Sequence, residues 1–252
     1  MGTGALTQYV DVAQLVLYIF WLFFAGLIYY LVRENHREGY PMEAVDGRGK
    51  VTGWPIPAQK TYKLAHGHDV TTPSYKVSPQ PLLAEPSHGW TGAPLIPTGN
   101  PMLDGVGPGS WSDRADAPDR SFDGAVKIVP LRTLTEFGVS PNDNDPRGLP
   151  VIGADGEVGG KVVDLWLDLS ETIFRYIELE VAGSARRVLL PINFARIRRD
   201  EVKVGAILGG QFADVPGTRH PEQVTLLEED KIMGYYGGGT LYAEPSRTEP
   251  LV

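Results

Sequence analysis

The sequence predicts a single N-terminal transmembrane α-helix followed by a mainly β domain, and three observations carry that expectation. Val12 to Val32 is an unbroken apolar run. Thirty glycines and 21 prolines among 252 residues exceed ordinary usage and favour turns over long helices. From Leu149 onward, short runs alternate apolar and polar residues with a period of two, the signature of half-buried strands.

The helix comes first. Its 21 residues carry no charge, and Gln14 is the one strongly polar side chain. At a rise of about 1.5 Å per residue the run reaches about 31 Å, matching a hydrocarbon core of ~30 Å. A secretory signal peptide needs a basic start and a shorter apolar run, whereas residues 1–11 contain no Lys or Arg, so the segment reads as a retained anchor. Asp11 precedes the span, and Arg33 and Arg37 follow it closely. The positive-inside rule then puts the amino terminus outside and the rest in the cytoplasm. The two arginines are candidates for lipid-facing contacts with anionic headgroups. With no His, Asp, Glu, Lys or Arg inside it, the span offers neither a side-chain metal ligand nor a proton relay; its expected work is anchoring and docking, with Ala25-Gly26 as a small-residue notch.

The next segment is proline-rich: 15 of the 21 prolines lie between Gly53 and Pro150. Trp54, Tyr62, Tyr75, Trp90, Trp111 and Phe122 recur through it, which separates it from a disordered linker and suggests an extended segment lying against a partner or its own domain. The expected organisation is residues 1–11 outside, 12–32 in the membrane, 33–145 extended along the membrane surface, and 146–252 a cytoplasmic β domain with a C-terminal tail.

In that last part, Asp155-Gly156, Ala182-Gly183 and Arg199-Asp200 punctuate the strand-like runs, predicting an antiparallel meander closed into a small barrel. Val163, Leu165 and Leu167 share one face of a strand; Asp164, Trp166 and Asp168 share the other, an acidic one. Ile177, Leu179 and Val181 oppose Glu178 and Glu180 in the next. A short helix is expected over Ala206 to Phe212, a last strand over Val224 to Leu227, and a polar turn or helix start over Glu228 to Ile232.

Composition and motifs exclude several function classes. A net charge of −8 without a basic run argues against nucleic-acid binding. Zero cysteines exclude disulfides, iron–sulfur clusters and thiol catalysis. There is no Walker loop, G-x-S-x-G or H-E-x-x-H, and Gly105, Gly107 and Gly109 read as turns. His66 and His68 lack a nearby third ligand, so no metal site is expected. What remains is carboxylate: Asp164, Asp168 and Glu171, with Arg175 able to return to them across a turn, and Glu228-Glu229-Asp230 farther on. One reading is a solvated acidic face with an ion pair. The other is a proton-conducting cluster, whose members share protons when crowded beneath a partner.

Six segments in order carry a resemblance: Arg37-Glu38-Gly39-Tyr40-Pro41, Pro97-Thr98-Gly99-Asn100-Pro101-Met102, Gly105-Val106-Gly107-Pro108, Asp145-Pro146-Arg147-Gly148-Leu149-Pro150-Val151, Lys161-Val162-Val163-Asp164-Leu165-Trp166 and Leu227-Glu228-Glu229-Asp230-Lys231. With the single N-terminal span, the chain resembles the H subunit of the purple bacterial photosynthetic reaction centre. The resemblance implies a PRC-type antiparallel β-barrel and a non-enzymatic subunit capping the L and M subunits, in the bacterial intracytoplasmic membrane. Those partners carry the bacteriochlorophylls, bacteriopheophytins, quinones and non-haem iron, and this chain binds none of these by itself; a cytochrome subunit and light-harvesting antenna belong to the wider assembly. The resemblance also implies a proton route to the secondary quinone through Glu171, Asp168 and Arg175, taken up at the surface by Asp123, with Tyr40 and Glu229 at the subunit interface. The chain departs from some members in reading Gly124-Ala125-Val126 after Asp123, where they have a histidine pair, and in carrying Gln223 where a carboxylate can stand. The rival reading is a membrane-anchored β-barrel scaffold that binds another partner and moves no protons.

Overall fold

The computed structural model describes residues 11–40, 42–43, 50–51, 56–65, 67, 69–74, 81–90 and 93–248. His66, His68, Trp54 and Tyr75 lie outside the described residues. The chain divides into two compact units, Met1–Pro79 with Trp90–Gly92, and Gln80–Gly89 with Ala93–Val252.

The first unit is led by α1 (Val12–Asn35). Asp11 caps it, its carboxylate accepting a hydrogen bond from the Gln14 amide at 2.8 Å, which satisfies one of the free amides of the first turn. Every side chain from Val12 to Val32 is exposed, Leu22 by as much as 75 %. A helix apolar on all sides, and left uncovered by the described residues, is suited to lipid or to neighbouring membrane helices. Two short antiparallel ribbons follow, β1 (Met42–Glu43) with β2 (Lys50–Val51), and β3 (Lys60–Lys63) with β4 (Asp69–Thr72).

In the second unit, β5 (Ala84–Pro86) pairs with β6 (Leu95–Pro97). The main sheet is built from β7 (Ile128–Pro130), β8 (Pro150–Ile152), β9 (Val158–Asp168), β10 (Ile173–Val181), β11 (Arg187–Pro191), β12 (Ala195–Ile197) and β13 (Val202–Val204). Its order is β11-β10-β9-β8-β13-β12, with β7 also on β9. The long β9 is central: β10 runs along one edge, while the other is shared by β8 near Val158–Lys161 and by β7 at Trp166–Asp168. The predicted strands and turns of this region are present, Gly156 and Gly183 supplying the left-handed turn residues at φ 85° and 72°.

Three details differ from the sequence expectation. The sheet is not wholly antiparallel, because curling brings β13 alongside β8 in parallel and buries Val151 against Val202, both fully. The short helix falls at Gly209–Asp214 as a 3-10 turn. And the expected last strand is absent: Thr225 instead caps α2 (Leu226–Tyr242), with its hydroxyl accepting from the Glu228 amide while the Glu228 carboxylate accepts from the Thr225 amide. Gly234, Gly237, Gly238 and Gly239 discourage a helix in isolation. Here the first three allow its backbone to lie directly on the 107–109 turn, where a Cβ on Gly234 would stand 2.8 Å from the Gly109 carbonyl oxygen, while Gly239 lies against Ala206 and Ile207. Ile232, Tyr235 and Tyr236 face the core with Trp166 and Phe212, and the rings of Phe194 and Phe212 flank Tyr236 at 5.7 and 6.2 Å.

Candidate functional site: a buried carboxylate beside a charged cleft

Asp168 ends β9 and shapes the turn that follows. One carboxylate oxygen accepts hydrogen bonds from the amides of Ser170 (2.9 Å) and Glu171 (3.2 Å), and its carbonyl accepts from the Thr172 amide at 2.8 Å. This local side-chain-to-backbone bonding is what Asp does well in turns. The other oxygen lies 3.2 Å from Arg175 Nε and 3.6 Å from Lys127 Nζ. The side chain is fully buried. Burial, the largest single influence, pushes its pKa up. The Glu171 amide, Arg175, the Ser170 amide and Lys127 together outweigh it and hold the carboxyl below the usual aspartate range.

Glu171 sits at the tip of the same turn, half exposed, and pairs with Arg175 Nη2 at 3.0 Å. The structure therefore brings Asp168, Glu171 and Arg175 together. A β-bulge does part of the positioning. The register shifts between Phe174, opposite Leu167, and Tyr176, opposite Trp166, which leaves Arg175 as an extra residue. Both Arg175 and Tyr176 then line one cleft of about 430 Å³, together with Asp119, Lys127, Asp168 and Glu229. On its far wall the Tyr176 hydroxyl donates to Glu229 at 2.7 Å. Burial raises the Glu229 pKa despite that hydrogen bond, and the same burial beside a carboxylate pushes the Tyr176 phenol up.

The acidic face expected on β9 is not solvated. Asp164 and Glu178, opposite one another across β9 and β10, are each 4 % exposed. Arg132 Nη1 contacts both, at 3.0 Å from Asp164 and closer to Glu178. The Trp166 indole donates to Glu178 at 2.9 Å, and Arg187 approaches its other oxygen at 3.3 Å. Paired and hydrogen-bonded, these carboxylates can stay buried. Lys127 and Arg132 flank the three residues of β7 and reach Asp168 and Asp164 of β9, so two ion pairs clamp this strand onto the sheet. Lys127, Arg132 and Tyr176 stand out by no signal in the sequence, and Glu178 only as a polar-face residue of its strand; nothing local in a three-residue strand announces which partner it joins.

The other expected residues lie elsewhere. Asp123 is exposed on the Ser121–Ala125 turn, and makes no ion pair among the described residues. In the first unit, Tyr40 is half-buried with its ring 4.1 Å from that of His36. Arg37 turns inward: it binds Glu34 at 2.7 and 3.0 Å and the carbonyls of Ala58 (2.9 Å) and Thr72 (3.2 Å), leaving its side chain 10 % exposed. Arg33 keeps 40 % of its side chain exposed and lies 3.6 Å from Glu34. Among the described residues no three His, Asp or Glu side chains gather in a metal-binding group.

Two family models match the chain. Residues 4–133 match the photosynthetic reaction centre H-chain N-terminal region, and residues 142–208 match the PRC-barrel domain. The first ends just beyond β7, whose partner β9 lies within the second, so the two matched regions share one sheet. The first match alone spans more than half of the 252 residues and contains the apolar helix, and the second coincides with the curled sheet; the chain therefore belongs to the photosynthetic reaction centre H-chain family.

Proposed function

We propose that this H chain caps the cytoplasmic side of the L and M subunits and carries protons toward the secondary quinone held there, without making or breaking substrate bonds itself. The amino terminus is periplasmic and the second unit cytoplasmic, as the basic flank of the helix favours. The observation that supports the proton role most directly is the Asp168–Arg175–Glu171 group: one carboxylate fully buried, one half exposed, and a cation touching both.

When an electron reaches a quinone buried in a low-dielectric site, the added charge is costly until a proton compensates it. Glu171 is the relay nearest the quinone in this reading, Asp168 the relay behind it, and Arg175 the cation that touches both. A surface carboxylate of the segment before β7, which carries Asp119 and Asp123, takes protons from solvent. Glu229 and Tyr40 meet the L and M subunits. Arg33, the more exposed of the two arginines, meets anionic lipid headgroups, while Arg37 braces the chain where it leaves the membrane.

The test is Glu171→Gln in the intact reaction centre. Proton uptake after the second flash is expected to slow several-fold while near-infrared pigment bands stay in constant ratio to this chain. Unchanged uptake kinetics would overturn the relay role. A preparation lacking pigment, in detergent mild enough to preserve assemblies, would overturn the cap.

A further inference from the structure

Resting on that proton-delivery reading, we propose that the surface carboxylate feeding Asp168 is Asp119 rather than Asp123, with Lys127 as the positioning residue between them. Lys127 Nζ lies 3.6 Å from an oxygen of Asp119 and 3.6 Å from an oxygen of Asp168. Its backbone is pinned at both ends of the same path. The Lys127 amide donates to the Asp119 carbonyl at 2.9 Å, and the Lys127 carbonyl accepts from the Leu169 amide, next to Asp168, at 2.9 Å.

Exposure gives the path a direction. The Asp119 side chain is 38 % exposed, Lys127 21 %, and Asp168 is fully buried. All three line the same 430 Å³ cleft, large enough to hold several waters. Asp123 stands apart on its exposed turn, and the residues after it, Gly124, Ala125 and Val126, offer no titratable side chain to carry a proton inward. A surface carboxylate is useful to a relay only if what lies behind it can take the proton.

The ammonium between the two carboxylates holds them close by offsetting part of their mutual repulsion. In the transfer, the O–H bond of protonated Asp119 breaks and its proton passes along cleft water to the Asp168 carboxylate, where a new O–H bond forms. Lys127 keeps its three protons throughout. Its part is to hold both acceptors at the cleft wall and to lower the cost of charge moving between them.

The experiment measures flash-induced proton uptake in reaction centres containing the full chain. Asp119→Asn and Lys127→Met are expected to slow uptake after the second flash several-fold, Asp119→Glu and Lys127→Arg to restore it, and Asp123→Asn to leave it within twofold of the parent. Semiquinone formation on the first flash should be the same in all of them. A slow Asp123→Asn beside a normal Asp119→Asn would overturn the assignment, as would a slow Lys127→Met that Lys127→Arg does not restore. Asp168→Asn separates the two levels: slow uptake there with normal Asp119→Asn refutes only this inference, while normal uptake there refutes the delivery route on which it rests.

Discussion

Replacing Asp168 separates what its charge does from what its shape does. Asn keeps one carbonyl oxygen for the Ser170 and Glu171 amides but puts an NH2 against Arg175 and Lys127, whereas Ala removes all of these contacts. Breaking a buried pair by deleting one partner costs about 3–5 kcal/mol. Here both cations are partly solvated, 39 % and 21 % exposed, so they rehydrate in part. We therefore expect Asp168→Asn to cost about 2 kcal/mol, and Asp168→Ala about 2 kcal/mol more from two lost turn hydrogen bonds of about 1 kcal/mol each. The native carboxyl titrates below its unfolded value, so its contribution is complete above that value, ~3.9, and fades as pH falls through the folded pKa. Urea unfolding of the full chain in mild detergent, followed by near-ultraviolet circular dichroism from pH 7 down to pH 3, measures this. The parent should lose stability at the acid end more steeply than Asp168→Asn. Equal unfolding midpoints for Asn and Ala variants, or an unchanged acid limb in Asp168→Asn, would refute the reasoning.

Three further outcomes follow from the same structure. Glu229→Gln keeps a hydrogen-bond partner for Tyr176 and removes a carboxylate whose pKa is raised by burial. For such a group the folded state favours the protonated form, a benefit present below the unfolded pKa and lost as pH rises through the folded one. The variant should thus gain stability over the parent at neutral pH and lose that advantage below pH ~4, as read by the same unfolding curves. Tyr236→Phe removes a buried hydroxyl with no hydrogen-bond partner among the described residues and should raise stability by about 1 kcal/mol; a loss would mean that the hydroxyl is satisfied after all. Gly234→Ala gains about 1 kcal/mol of helix propensity but drives a Cβ to 2.8 Å from the Gly109 carbonyl oxygen. Overpacking against backbone costs about 1–3 kcal/mol, so a net loss is expected, and a higher thermal midpoint would refute the close packing of α2 on that turn.

The sequence by itself determined the features that rest on local chemistry. The 21-residue apolar run fixes α1 because a helix apolar on every side has to be covered all round, by lipid or by other helices. The two-residue alternation and the Asp-Gly and Ala-Gly pairs fix most strands of the sheet, and the Asp168-to-Arg175 spacing fits a tight turn that returns the arginine to the carboxylate. The tertiary structure decided what depends on partners distant in the chain. The acidic face of β9 is buried because the residues flanking β7 bring Lys127 and Arg132 from some 32 to 41 residues earlier, and β10 sets Glu178 beside Asp164; alternation reports that a face is polar, not what covers it. A strand was expected where Thr225 and Glu228 cap α2, and only the folded chain gives its four glycines a purpose, setting Gly234, Gly237 and Gly238 against the 107–109 turn and Gly239 against Ala206 and Ile207. The cleft joining Asp119, Lys127, Asp168 and Glu229 likewise comes into being only on folding, since its walls come from β10, α2 and the loop before β7, which no local pattern ties together.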